Sequence, residues 1–387
     1  MKKNSIIKTL SIGLSCVLLS ACSTLFDTDN TPSPTPLTNF NAEITPHELW
    51  NRSPNSGVGR NCNDYLKLAV ASNCNAVFTA SRDGKVSATE KNTGRSLWNT
   101  EACTEITAGP GIADGLVYVG GADGTVVALR QDNGGIVWRA KVATEILAAP
   151  AGANGIVLIK TVDGHLYGLS AKDGHSIWSY QQTEPTLILR GSSTPAIAEG
   201  ATVAGFANGN LVKLSLTEGT LHWQQAIASA QGTFPVQRMI DIDANPIIYN
   251  HTIYAVTYQG QIGSLDFASG KIYWLHELSS FTGITTDGER VYVTDACGNV
   301  WAFDSRTGGV IWRQTQLLAR NLTAPVIMGC YVVVGDAEGY LHWLSKVDGH
   351  FAARTKMDSS GILATPIVDQ GILYVVARNG DLAAYSI

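Results

Sequence analysis

Hydrophobic and polar positions alternate in short runs along most of this chain, and glycine-centred turns cut the runs at regular intervals. Within residues 109–141, Leu116-Val117-Tyr118-Val119 and Thr125-Val126-Val127-Ala128-Leu129 read as strands, and so does Gly135-Ile136-Val137-Trp138-Arg139-Ala140. The turns between them are Asp114-Gly115, Asp123-Gly124 and Asn133-Gly134. Period-2 runs of β-branched residues joined by x-Gly turns predict antiparallel hairpins, because glycine supplies the positive φ a tight turn needs. No sustained 3.6-residue periodicity appears in this region, so helices are not expected. The pattern predicts four strands in a unit of about 40 residues.

The unit recurs. Gly84, Gly124, Gly164, Gly209, Gly260, Gly298 and Gly339 are followed 14 residues later by Trp98, Trp138, Trp178, Trp223, Trp274, Trp312 and Ala353. Pro110, Pro150, Pro195, Pro246, Pro325 and Pro366 each stand 14 residues before one of these glycines or before Gly380. Two fixed spacings inside one period mean one supersecondary unit copied about eight times. The expected fold is all-β, an eight-bladed β-propeller of four-stranded antiparallel blades. The last copy ends seven residues after Gly380, before any tryptophan strand, while Glu48-Leu49-Trp50-Asn51 is a lone tryptophan strand upstream of the first copy. The N-terminal segment is therefore expected to complete the last blade and close the ring, removing an open sheet edge. The repeated tryptophans read as packing between neighbouring blades. Ala353 breaks the series and predicts one junction packed differently.

Composition then places the domain in a cell. The chain has 387 residues, 45% hydrophobic and 15% charged, with formal charge −5. Removing Lys2, Lys3 and Lys8 with a leader takes that to −8. No basic patch interleaved with aromatics appears, which argues against nucleic acid. Residues 1–21 read as a lipoprotein signal peptide: Lys2-Lys3, an apolar core from Thr9 to Leu19, then Leu19-Ser20-Ala21-Cys22. The core is too short for a membrane-spanning helix. Cys22 is the expected lipidation site, and Ser23 in place of Asp points to the outer membrane. Several acyl chains would anchor where one alone binds marginally. Residues 22–44, with Thr31-Pro32-Ser33-Pro34-Thr35-Pro36, read as a lipidated flexible tether. Residues 45–387 are the expected propeller, on the periplasmic face. Cys62, Cys74, Cys103, Cys297 and Cys330 are the remaining cysteines of the mature chain. Disulfides are allowed there, but an odd set leaves the pairing open.

Function in a repeat protein concentrates where the repeat departs from itself. From each blade tryptophan to the next proline the spacing is 12, 12, 17 and 23, and 13 for the last two. Two consecutive connections are thus enlarged, and all such connections lie on one face of the disk. The first holds Thr183-Glu184-Pro185-Thr186-Leu187-Ile188-Leu189-Arg190-Gly191, and the second holds Phe234-Pro235-Val236-Gln237-Arg238-Met239-Ile240-Asp241-Ile242-Asp243. Leu187, Ile188, Leu189, Met239 and Ile240 are apolar where a loop should be polar, which marks a partner site. In an extended segment Leu187 and Leu189 project together, as do Asp241 and Asp243. The expected partner-binding residues are Leu187, Leu189, Arg190, Asp241 and Asp243. The competing reading folds both loops over the axis as a plug, with Arg190 paired to Asp241 or Asp243.

Catalytic chemistry is not expected. The sequence has no Gly-x-Ser-x-Gly elbow, no His-Glu-x-x-His and no phosphate-binding glycine loop. Asp83, Asp123 and Asp163 fit turn chemistry. His165, His175, His222, His342 and His350 are scattered singly and read as structural or surface residues. No cofactor and no metal are expected.

Ala128-Leu129, Gly134 and Trp138 together resemble the tryptophan-docking repeat of pyrroloquinoline-quinone enzymes, which are eight-bladed propellers. Two families carry that repeat: the quinoprotein dehydrogenases and the BamB family of outer-membrane assembly lipoproteins. Val333-Val334-Gly335-Asp336-Ala337-Glu338-Gly339-Tyr340-Leu341-His342-Trp343 and Asp358-Ser359-Ser360-Gly361 resemble BamB signatures. Leu187-x-Leu189-Arg190-Gly191 and Asp241-x-Asp243 are similar to that family's two motifs for contacting BamA. The resemblance implies a non-catalytic scaffold that docks on a periplasmic POTRA domain of BamA and works with other barrel assembly machinery components. It leaves open whether unfolded outer-membrane proteins touch blade edges. The alternative it implies is a periplasmic quinone-dependent dehydrogenase, but the adjacent Cys-Cys pair common in that family is absent from this sequence. The long Pro/Thr tether, the extra cysteines and Ala353 depart from the BamB pattern.

Overall fold

The computed structural model describes residues 32–58 and 66–387, which form eight antiparallel sheets of four strands each, set in a ring. Blade 1 is Ala71–Ser72, Ala76–Ala80, Lys85–Glu90 and Ser96–Glu101. Blades 2 to 7 repeat that order, and the first strands of successive blades touch one another around the axis. Blade 8 takes Ile367–Asp369, Ile372–Val376 and Leu382–Ser386 from the C-terminal end, and its fourth strand is His47–Arg52. Trp50 pairs with Ala384 and Arg52 with Leu382, so the closure expected from the lone tryptophan strand is present.

The tryptophan repeat has a geometric cause. Trp98 Nε1 donates to the Gln131 carbonyl of blade 2 at 2.9 Å, and Trp138 Nε1 to the Ala171 carbonyl of blade 3 at 2.8 Å. Trp50, Trp178, Trp223, Trp274 and Trp312 make the same bond to the blade that follows each of them. Each ring also lies on a glycine in that blade's last turn. A Cβ on Gly134 would sit 2.5 Å from Trp98 Cε3, and one on Gly174 would sit 2.6 Å from Trp138 Cε3. Gly134 and Gly174 have φ of 71° and 77°, so this turn needs glycine for its backbone as well as for the ring. The platform glycines are a second series, Gly94, Gly134 and Gly174 standing ten residues after Gly84, Gly124 and Gly164, and with the tryptophans they lock adjacent blades. Trp343 is fully buried and Trp301 half-buried.

The compact unit runs from Thr35 to Ile387, so it starts earlier than the boundary at 45 expected from composition. Of the residues before it, only 32–34 are described. Residues 35–44 are not a free tether but lie along the outer strand of blade 7, Phe351–Lys356. Thr35 donates to the Leu318 carbonyl through its amide and its hydroxyl, both at 3.0 Å. Arg354 donates to the Thr38 carbonyl at 2.9 Å. The Phe40 ring stacks on Phe351 at 5.3 Å, with the Arg354 guanidinium 5.0 Å from each ring. The Glu43 amide donates to the Ala352 carbonyl at 2.8 Å, and its carboxylate pairs with His350 at 2.7 Å. Pro/Thr composition predicts no core, yet one aromatic, one carboxylate and a few backbone hydrogen bonds dock this segment.

Blade 7 also holds a fully buried carboxylate, Asp336. Asp336 accepts from Arg320 at 2.7 Å and pairs with His342 at 2.9 Å, and all three side chains are buried. These bonds hold the Asp336 carboxyl below its ordinary range although burial opposes them, while burial lowers His342. His342 is thus structural, as expected. Asp123 likewise caps its turn, accepting the Thr125 amide at 3.0 Å. Cys22 and Cys62 lie outside the described residues, and Cys74, Cys103, Cys297 and Cys330 are exposed free thiols.

Candidate docking site

The two enlarged connections link blades 3, 4 and 5 and meet on one face. The first follows strand Ser176–Gln181, and the second follows strand Leu221–Ala226. The Leu189 amide donates to Asp241 Oδ1 at 2.8 Å, and the Thr194 amide donates to Asn245 Oδ1 at 2.7 Å. A Cβ on Gly191 would stand 2.6 Å from Asp243 Oδ2, so glycine lets that carboxylate close against the first loop. Leu189, Asp241 and Asp243 are brought together as one body.

Orientation differs from the sequence expectation. Leu187 (44% exposed) and Arg190 face solvent, while Ile188 and Leu189 are half-buried. Asp241 is 1% exposed and Asp243 is half-buried, so the aspartates do not project as a pair toward a partner. The reason is the Leu189 amide: a buried N–H needs an acceptor, and Asp241 supplies it. Met239 and Ile240 also turn inward, at 7% and 5% exposure. Ile240 packs against Gly209, and Ile242 packs against Gly205. Nor does the plug reading's internal pair form. Arg190 reaches Glu145 at 3.0 Å, with its side chain 69% exposed.

Beneath the loops lies a group of charges that the repeat pattern did not reveal. Lys160, buried on the second strand of blade 3, is 3.4 Å from Ser193 Oγ and 5.2 Å from the Phe206 ring. Glu184 accepts the Ala207 amide at 3.1 Å. Lys67 donates to the Phe281 carbonyl at 3.4 Å, so the segment before blade 1 reaches the connection between blades 5 and 6. Burial pushes Glu184 up to about 7, against the pull of Lys160. Burial, aided by the neighbouring Asp241, pushes Asp243 up to about 7. Asp241 rises to about 6 by burial, with the Leu189 amide opposing. Burial lowers Lys160, with Asp243 opposing. Lys160 and Asp241 are thus buried together, Glu184 and Asp243 are half-buried beside them, and Lys67 and the arginines stay exposed.

The sequence reading also passed over the crest of the second loop, where Phe234 and Val236 are 63% and 56% exposed. Phe234-Pro235 was the available signal, since proline at the first position of a short helical turn fixes its start.

A family model described as "Outer membrane protein assembly factor BamB" matches residues 82–314 and 299–387. A protein of that name from Pseudomonas aeruginosa is 47% identical, over 92% of this chain and 92% of its own length. Its namesakes from Yersinia pestis and Escherichia coli are each 37% identical, covering 98% and 97% of this chain. The crystal structure of BamB from Moraxella catarrhalis superposes with a TM-score of 0.81 at 27% identity, over 89% of this chain and 100% of that one. Quinohemoprotein alcohol dehydrogenase from Comamonas testosteroni superposes at 0.68 with 13% identity, over 88% of this chain and 76% of its own, a likeness of fold alone. With the family model and the relatives spanning nearly its whole length, the chain belongs to the BamB family of outer membrane protein assembly factors.

Proposed function

We propose that this chain is a non-catalytic scaffold of the outer-membrane β-barrel assembly complex. It is held at the periplasmic face of the outer membrane through Cys22 and docks on a POTRA domain of BamA. The observation that carries the reading is the cemented pair of enlarged loops, with Leu187 and Arg190 outward and Asp241 holding Leu189 in place. Leu187 supplies a small apolar contact, and Arg190 sets orientation through charge-assisted hydrogen bonds. Asp241 and Asp243 act by positioning the first loop.

The test is copurification of BamA with an Arg190→Glu variant. Charge reversal at an interface weakens binding by about tenfold or more. Loss of BamA with the propeller still folded is expected. Undiminished BamA in the eluate would reject this docking site.

A further inference from the structure

The exposed charge on the enlarged loops is opposite in sign to that of the whole chain. The chain carries −5. Yet on these loops Asp241 is buried and Glu184 and Asp243 are half-buried, so Arg190 and Arg238 are the fully exposed charged side chains. Beside Arg238 the chain presents Phe234 and Val236, 63% and 56% exposed.

That crest is built, not loose. Residues Pro235–Arg238 form a short 3-10 turn. Gln237 Oε1 accepts the amides of Thr233 and Phe234, both at 3.1 Å, and the Gln237 amide donates to the Phe234 carbonyl at 3.0 Å. The Gln259 side-chain amide, with its nitrogen toward the crest, donates to the Val236 and Gln237 carbonyls at 3.2 Å each. Gly232 has φ of 101°, and a Cβ there would come within 2.6 Å of the Gln237 Cβ. Met239 and Ile240 then root the turn in the body. An aromatic ring in water gains nothing for the fold, whereas one carried on an already fixed backbone loses less entropy on binding. Fixed apolar residues beside a cation are the composition of an interface anchor.

We propose that Phe234 and Val236 form a second, preorganised anchor of the docking site, filling an apolar pocket bordered by carboxylates on the partner domain. The inference rests on the docking reading above and names the chemistry of the partner's surface. The acidic border follows from charge complementarity with Arg238, and with Arg190 where its exposed guanidinium extends beyond Glu145.

The experiment measures the affinity of the detergent-solubilised full chain for the soluble POTRA domains of BamA. It compares wild type, Phe234→Ser/Val236→Ser, Gln237→Ala and Arg190→Glu, each with its thermal midpoint. Exposed side chains leave the midpoint unchanged. The double variant is expected to bind about tenfold more weakly or worse, the range of an interface anchor. Gln237→Ala is expected to fall between it and wild type, because the turn loses its clamp. Full affinity in the double variant, with binding lost in Arg190→Glu, would overturn the anchor and leave the docking reading standing. Full affinity in both would overturn both. Sedimentation separates the other occupant: a wild-type dimer dispersed by Phe234→Ser/Val236→Ser, with POTRA affinity intact, would assign the crest to self-contact and overturn the proposal.

Discussion

Trp343 and Ala353 face each other across the third and fourth strands of blade 7, in the reverse order of their counterparts elsewhere. Ala88 faces Trp98, Ala128 faces Trp138, Gly168 faces Trp178 and Ala302 faces Trp312. The reversal follows from closure. A fourth-strand tryptophan docks on the glycine turn between the third and fourth strands of the next blade. In blade 8 those strands, Leu382–Ser386 and His47–Arg52, are not consecutive in the chain, so no such turn exists. The ring moves to the third strand, where Trp343 is fully buried and stands 6.4 Å from Tyr385, and its Nε1 has no acceptor.

Trp343→Ala is therefore expected to cost about 3–5 kcal/mol in denaturant unfolding, the range for a buried aromatic. Adding Ala353→Trp should recover at most about 1 kcal/mol, because the second ring lacks a glycine platform. Full recovery would show that the missing turn does not set the position of the ring.

Asp241→Ala removes the acceptor of a buried amide, a loss of about 1–3 kcal/mol. The expected outcome is faster hydrogen exchange at Leu189 together with weaker BamA binding. Asp241→Asn retains an acceptor oxygen and should restore both in part. Weaker binding without faster exchange would place Asp241 in direct contact with the partner.

The pH dependence of stability should carry the signature of the buried carboxylates. Glu184 and Asp243 at about 7 and Asp241 at about 6 are raised above their ordinary values, so the folded chain binds more protons than the unfolded chain between the two. Their contribution is most favourable at low pH and declines as pH rises through about 6 to 7. Asp243→Asn cannot ionise. Relative to wild type it should gain on the order of 2–3 kcal/mol on going from pH 5 to pH 8. Urea midpoints at the two pH values check this, and a constant difference would contradict it.

Phe40→Ala should loosen the segment along blade 7. Its ring is stacked on Phe351 and under Arg354, so protease sensitivity in 36–44 is expected to rise while the ring of blades stays folded. A decrease of about 1–3 kcal/mol in local protection is the scale for losing a partly exposed aromatic. Unchanged cleavage would mean that the hydrogen bonds from Thr35, Thr38 and Glu43 hold the segment alone.

Fold and closure were legible because turn glycines and fourth-strand tryptophans recur at one spacing, although the glycines beneath the rings, ten residues further on, are a separate series. The candidate site was legible as loop length, since the other two spacings of the repeat do not change. Its orientation was not. Period-2 projection put Asp241 and Asp243 outward, but a single amide, Leu189, and a missing Cβ, Gly191, turned them in. The crest was hidden because Phe234 looks like any loop apolar residue until Gln237 is seen clamping it. The docked segment was hidden because composition counts residues, whereas Phe40 and Glu43 act through receptors over 300 positions away.

The pairing of His47–Arg52 with Leu382–Ser386 also makes ring closure the most non-local step of folding. The two strands stand over 300 positions apart, so blades 1 to 7 can form from local hairpins before blade 8 is completed. Until that pairing forms, a tryptophan-bearing strand stays unmatched and offers a handle to chaperones.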